Sequence, residues 1–242
     1  MASGALKAGA GVGSGLGCSV TATLWKRAMG LDASWLLSSP DVDWSAMPRL
    51  VPPVLPEGTL KGRPQPLIDA VRGVSLRPWE AADATVLAAA YEDPDISHWH
   101  HRSMTADEAG QYIRDAAERW NADRGGEWAV LYDAEVAGRV GLRCSLEAGQ
   151  GEASYWTLPA ARGTGIASSA LDAVAIWALS EIGFWRLEVR HSTDNTASCR
   201  VAEAGGFAHE ADLRRAMLHA DGWHDIHVHT RFREPDPRGP TP

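Results

Sequence analysis

The chain has 242 residues, 45% hydrophobic and 22% charged, which provides for one good core and excludes wholesale disorder, a collagen-like repeat and a coiled-coil rod. With 31 acidic against 23 basic residues the net charge is -8, unsuited to holding nucleic acid by neutralising phosphates and better matched to cationic partners. Cys18, Cys144 and Cys199 form no CxxC pair, which fits neither a disulfide framework nor a Cys-rich zinc module and points to a reducing, cytoplasmic compartment. No apolar run reaches the length of a signal-peptide core or a membrane span.

The chain changes character along its length. Residues 1–72 hold 7 basic and 5 acidic side chains, so the acidic excess lies entirely beyond them. The glycine-rich 9–17 and proline-rich 48–66 lack a helical or strand period and bury no continuous face. We therefore divide the chain into a flexible N-terminal extension at 1–48, a folded domain at 49–234 and a C-terminal tail at 235–242. An amphipathic helix at about 23–37 has no evident partner. The glycine run at 9–17 has no strand before it and no capped helix after it, so it reads as linker rather than phosphate loop.

Regular elements begin at Gly73. Val74, Leu76 and Pro78 alternate as a strand, and 80–91 is an alanine-rich helical stretch ended by Asp93-Pro94. Thr105 and Glu108 form a capping box that opens a helix to about Trp120. Strands follow near 126–132, 136–146 and 151–158, joined by turns short enough to make them antiparallel neighbours. A long apolar helix at 165–182, a strand at 186–190, a shorter helix at 195–204 and strand pieces near Phe207 and 222–232 complete the chain. Strands that first meander and then alternate with helices give a mixed sheet.

The most informative segment runs from Glu152 to Ala167, where a strand enters a loop holding Arg162, Gly163 and Gly165 and a helix starts at once. Glycines let backbone approach a ligand, and the first amides of the helix point outward with a partial positive charge behind them, which makes a natural pyrophosphate cradle. An ordinary strand-to-helix turn uses glycine for the same steric reasons, and both readings stand at this point. A dinucleotide site fits less well: its third glycine falls at Ser168, although Glu188 occupies the place of a ribose acid.

Arg162-x-x-Gly165-x-Ala167 resembles the acetyl-CoA loop of the GNAT acetyltransferase superfamily. Asn195-Thr-Ala-Ser198 followed by Gly205-Gly206-Phe207 resembles its next motif. Together with Leu76-Arg77-Pro78-Trp79 and Gly222-Trp223-His224-Asp225 they span about residues 73–233 and resemble the RimJ/RimL-like branch, which acetylates protein N-termini. The resemblance implies an α+β GNAT fold, a mixed and mostly antiparallel sheet flanked by helices, with acetyl-CoA as cosubstrate. It implies direct attack of a neutral amine on the thioester, which calls for a base and an acid. The strand before the loop is splayed in that family and pairs with the pantetheine arm; Trp156 and Leu158 occupy this stretch.

The same resemblance assigns Arg162, Gly163, Thr164, Gly165, Ile166 and Ala167, with Asn195 and Ser198, to the cofactor. Many members place an acidic tyrosine where this chain has Ala202, so Ser198 is the implied acid and Glu152, on the splayed strand, the implied base. Met217 stands where some N-terminal acetyltransferases carry an acidic residue. The loop after Asp93 lines the acceptor entrance in the family; Tyr91 and Trp99 would form an aromatic wall there, and Glu92, Asp93 and Asp95 would attract a cation. The implied acceptor is a protein N-terminus. The alternatives are a small amine such as a polyamine or amino-bearing antibiotic, and a catalytically silent acyl-CoA-binding module. Neither nucleic acid nor membrane is an expected partner, and a homodimer is left open.

Two histidine groups stand out, at 98–101 and 224–229. His227 and His229 share a strand face and with a third ligand would bind zinc, but histidine is a common polar strand residue and no metal is expected. Cys199, next to Ser198, is expected to be a small buried hydrophobe. Trp120, Trp128 and Trp177 read as core.

Overall fold

The computed structural model describes residues 51–234. The expected extension at 1–48, including its glycine run and amphipathic helix, and the tail at 235–242 lie outside the described residues.

Eight strands form one sheet: β1 (Ile68–Asp69), β2 (Val74–Pro78), β3 (Gly125–Tyr132), β4 (Glu135–Ser145), β5 (Gln150–Thr157), β6 (Arg186–Ser192), β7 (Ala208–His219) and β8 (Gly222–Phe232). Their spatial order is β1-β2-β3-β4-β5-β6-β8-β7. Every neighbouring pair is antiparallel except β5 and β6. The helices are α1 (Ala84–Ala90), α2 (Pro94–His100), α3 (Ala106–Asn121), α4 (Ile166–Ile176), prolonged by a π-helical segment Trp177–Ile182, and α5 (Thr196–Ala204). This is the mixed, helix-flanked sheet that the order of elements implied.

The pleat divides the strands between two cores. Trp128 and Val130 of β3 join Leu76, Val140, Leu171 and Phe184 in one, while Ala129 joins Trp79, Leu87, Tyr91, Ile96, Ile113 and Trp156 in the other. The three tryptophans read as core are so placed: Trp177 stacks on Trp120 at 6.0 Å and meets Trp128 edge-on at 5.4 Å. The capping box that opens α3 forms as expected, with the Thr105 hydroxyl accepting from the Glu108 amide and Glu108 accepting from the Thr105 amide.

Three elements depart from the sequence expectations. The stretch after Asp93 is helical: the Asp93 carboxylate caps the Ile96 amide at 3.0 Å and Pro94 takes the first helical position, so Asp-Pro here starts a helix rather than a loop. β7 is a continuous strand of 12 residues rather than a short piece near Phe207. It is an edge strand, mostly exposed and rich in charge, so it lacks the apolar alternation of an inner strand.

The third departure is the proline-rich segment, which is held chiefly by its backbone and so needs no period. The Asp123 carboxylate accepts the amides of Gly58, Leu60 and Lys61 at 2.6–2.9 Å. Trp120 and Trp128 donate their indole N–H groups to the carbonyls of Arg63 and Pro66, and Leu55 and Leu60 are buried beneath. Burial raises the Asp123 carboxyl, but the three amides and Lys61 outweigh it and hold it below the usual carboxylate range. Its stabilisation is therefore complete above the unfolded value and is lost as pH falls through the lower folded one. Asp123→Ala leaves three amides without their acceptor and is expected to cost about 3 kcal/mol in urea denaturation. An unchanged midpoint would show that the segment is held by other contacts.

Candidate active site

β5 and β6 run side by side for only part of their lengths. Their parallel ladder joins Gln150 to Arg186, Gly151 to Leu187, Glu152 to Glu188 and Ala153 to Val189, and ends there, although β5 continues to Thr157 and β6 to Ser192. Beyond Ala153 each strand keeps only its outer partner, β4 or β8. The Leu158 amide donates to the Ala137 carbonyl at 2.9 Å. By antiparallel alternation the even-numbered residues of β5 therefore direct their backbone groups to β4, while Tyr155 and Thr157 turn theirs toward the gap.

The expected backbone edge at Trp156 and Leu158 is thus corrected to Tyr155 and Thr157. Trp156 is a core side chain, packed 6.3 Å from Trp79 and 6.1 Å from Tyr91, and Leu158 packs against the same cluster. A period of two fixed which residues share a face, but which backbone groups were free depended on the β4 register.

The gap opens into a cavity of about 1270 Å³. At one end lies the start of α4. Gly165, at φ +84°, precedes the helix without a side chain to cap it, and the first amide to close onto its carbonyl is that of Ser169, at 3.0 Å. The amides of Ile166, Ala167 and Ser168 thus form an uncapped helix N-terminus, an anion site in its own right. Of the loop, Arg162, Gly163, Gly165 and Ala167 line the cavity. Thr164 turns its hydroxyl to the Ala161 carbonyl, and the Ile166 side chain is buried in the core.

Arg162 does not stand free. It bonds Asp93 at 2.5 Å and Asp95 at 2.9 Å, both at the start of α2. Burial raises the Asp93 carboxyl, and the Arg162 hydrogen bond with the Ile96 amide more than reverses it, so the group lies below its ordinary value. The cation expected to be drawn by Asp93 and Asp95 is thus the chain's own arginine. A different one, Arg72, sits beside the helix N-terminus: a Cβ built on Gly165 would lie 3.8 Å from its guanidinium carbon. Nothing in the sequence around Arg72 marks it.

At the inner end α5 begins. Asn195, buried, accepts the Ser198 amide at 3.0 Å, and the Tyr155 hydroxyl donates to the Ser198 carbonyl at 2.8 Å, bridging the gap from β5 to α5. Ser198 lines the cavity, with its hydroxyl in hydrogen-bond reach of the Tyr155 phenol. Glu152 also lines the cavity, exposed, between Arg143 on β4 and Glu188 on β6. Tyr155 was missed by sequence reasoning because its role depends on the placement of α5, 43 residues away.

The remaining wall is aromatic. Trp99, His100, His101, Met217 and His219 line it, and Tyr91 contributes although it is mostly buried between Trp156 and His100. Glu92, expected beside them, is exposed and does not line the cavity; it falls on the outer side of the turn into α2. His219 is pushed down to about 4 by burial and by His101 and His224.

His100 places Nε2 3.2 Å from the Tyr155 carbonyl, so that nitrogen carries the proton and donates across the gap. Burial, helped by the Arg139 charge, pushes its pKa down to about 4. Because the folded value is lowered, this group contributes full stability above about 6.5 and less as pH falls toward 4. A histidine ring titration by NMR is expected to show His100 neutral at pH 6; a midpoint near 6.5 would mean that the ring is hydrated and the bond to Tyr155 absent.

Comparison with known proteins bears on this arrangement. Residues 74–208, more than half of the chain, match the model of the acetyltransferase (GNAT) domain family. No curated protein sequence matches. Among solved structures the chain is similar to RimL, a ribosomal L7/L12 alpha-N-protein acetyltransferase in complex with coenzyme A (17% identity, 69% of this chain and 98% of that one, TM-score 0.64). It is similar to RimJ of Mycobacterium smegmatis in complex with CoA-disulfide (19%, 69% and 86%, 0.62). It is also similar to the microcin C7 self-immunity acetyltransferase MccE in complex with acetyl-CoA and AMP (17%, 66% and 93%, 0.61). At such identities these likenesses speak to the fold, whereas the family match covers the cavity's loop and both of its strands: the chain belongs to the GNAT acetyltransferases, enzymes that transfer an acetyl group from acetyl-CoA to an amine.

Proposed function

We propose that the chain acetylates the α-amine of a protein or peptide N-terminus, with the cofactor lying in the β5–β6 gap and its pyrophosphate on the α4 N-terminus. The observation that carries this reading is the convergence in one cavity of an uncapped helix N-terminus, unpaired strand backbone and the Ser198 side chain. The residues fit an acyl-CoA: Gly163 has no atom within 4 Å of where a Cβ would stand, so phosphate oxygens can approach its backbone. Arg72 supplies charge there, and Arg162 holds α2 against the loop through Asp93 and Asp95.

Acetyl-CoA supplies an activated acetyl thioester, and the chain's residues manage two protons. Glu152 takes a proton from the incoming amine directly or through water. Ser198 donates a hydrogen bond and then its hydroxyl proton to the leaving sulfur, regaining a proton from solvent as coenzyme A departs. Asn195 caps α5 at the Ser198 amide, and the Tyr155 phenol is the neighbour that orients the Ser198 hydroxyl. Tyr155 and Asn195 act as positioning residues, fixing the carbonyl and amide of Ser198 from opposite sides of the gap.

The acceptor reading rests on charge. An α-amine has a pKa of about 8, so much of it is neutral near physiological pH and an exposed carboxylate is base enough; a lysine or polyamine nitrogen near 10 asks for more. The wall of Trp99, His101, Met217 and His219 carries little negative charge, and Asp93 and Asp95 are already neutralised by Arg162. That environment favours a single amine on an uncharged peptide stem over a polycation. The branch named by the RimL and RimJ structures points the same way.

Coenzyme A release measured against N-terminal peptides, polyamines and aminoglycosides tests the reading. Preferential turnover of peptides is expected; preference for a polyamine or an antibiotic would replace the acceptor, and no turnover with intact binding would leave an acyl-CoA-binding module. Gly165→Glu forces a left-handed position at a cost of about 1–2 kcal/mol and fills the cradle. Calorimetry should then show acetyl-CoA affinity lowered by at least about tenfold in a folded protein, and unchanged affinity would move the cofactor elsewhere. Ser198→Ala should lower kcat by roughly 10² to 10⁴ with acetyl-CoA affinity retained. Near-normal turnover would remove Ser198 from the chemistry.

A further inference from the structure

α5 packs on the last strands of the sheet, and four side chains meet beneath it: His191 from β6, His227 and His229 from β8, and Cys199 from α5. The register brings the imidazoles together. His191 lies directly opposite His227, and His229 comes two residues on, on the same face. One ligand-capable atom of each of the four residues lies within 4.8 Å of those of the other three, and His191 and His229 are buried.

The protons are already arranged for ligation. His191 Nδ1 is 2.7 Å from the Ser192 carbonyl, so it must donate, which leaves a lone pair on Nε2; that atom is buried without a partner. His227 Nε2 is 3.5 Å from the Asp212 carboxylate, and its Nδ1 is likewise buried without a partner. Such outer partners, a backbone carbonyl and a carboxylate, are what fix the tautomer of a metal-bound histidine. His229 is fully buried; one ring nitrogen faces the Phe207 carbonyl and the other has no partner. Stacked neutral imidazoles without an ion would leave all these acceptors unsatisfied in one place, an arrangement folded proteins avoid.

We propose that His191, Cys199, His227 and His229 bind one divalent ion of the zinc class, contrary to the sequence expectation of no metal. Three imidazoles and a thiolate form a borderline-soft, closed set suited to tetrahedral zinc. Loading converts the Cys199 thiol, which now donates to Glu203 at 3.7 Å, to a metal-bound thiolate and releases its proton to solvent. The ion ties the first turns of α5 to β6 and β8 at the residue next to Ser198. His191 also lines the cofactor's cavity, so the ion sits behind that cavity's wall; the site does not depend on the reading of the acceptor.

The test uses the full chain, stripped with a chelator and titrated with zinc chloride against a chromophoric competitor, and in parallel with cobalt chloride. One equivalent should bind at nanomolar or tighter affinity, and the cobalt form should show a thiolate charge-transfer band with intense tetrahedral ligand-field bands. Cys199→Ser should abolish the charge-transfer band and weaken zinc by about tenfold or more, and its melting curve verifies that it is folded. Asp221→Ala, which removes one member of the neighbouring group His98, His219 and Asp221, should change neither. Binding no tighter than micromolar, or binding that survives Cys199→Ser and His227→Gln but is lost in Asp221→Ala, would overturn the proposal.

Discussion

Four parallel residue pairs join the two antiparallel halves of the sheet, and the whole site depends on where that ladder stops. Had β5 and β6 stayed paired to their ends, the backbone of Tyr155 and Thr157 would be satisfied and the cavity closed. Because they part after Ala153 and Val189, the fold keeps backbone inside the molecule that β6 does not pair; His100 satisfies the Tyr155 carbonyl, and the rest is left to a ligand or water. The divergence also sets α4 and α5 on either side of one gap. The Tyr155 hydroxyl and the His100 ring then reach across it, to the Ser198 carbonyl and from α2 to the Tyr155 carbonyl.

Charge at the site is arranged by pairing rather than by net sign. The chain is acidic overall, yet the carboxylates nearest the cofactor loop are held by Arg162, and the histidines on the aromatic wall are kept neutral by burial and by one another. The uncapped amides of α4, the Arg72 guanidinium beside them and the arginines that line the cavity, Arg102, Arg143 and Arg200 among them, are the attraction for an anion. The proline-rich segment contributes at a distance: through Asp123 it is anchored to the turn between α3 and β3, so it belongs to the folded domain although it has no regular structure.

Much of this was legible in sequence because it rests on local signals. The Thr105–Glu108 box and the strand-loop-helix around Gly165 each lie within a few residues of chain, and short-range rules read them. The features that were not legible depended on partners far along the chain. The pairing of Arg162 with Asp93 crosses 69 residues and that of Tyr155 with Ser198 crosses 43, so no spacing rule applies. β7 hid because an exposed edge strand is selected for charge rather than alternation. α2 was misread because Asp-Pro is both a helix stop and a helix start, and the residues beyond Pro94 decide between them. The histidines form their cluster through the β6–β8 register, whereas the sequence offered only the shared face of His227 and His229.

The central claim is that the cofactor lies along the part of β5 that β6 abandons, with its phosphates on α4. Backbone amide hydrogen exchange with and without coenzyme A tests it most directly. The claim requires new protection at the Tyr155 amide and at Ile166, Ala167 and Ser168, with the amides of β3 and β8 unchanged. Protection that appears elsewhere while these four amides exchange as before would contradict it.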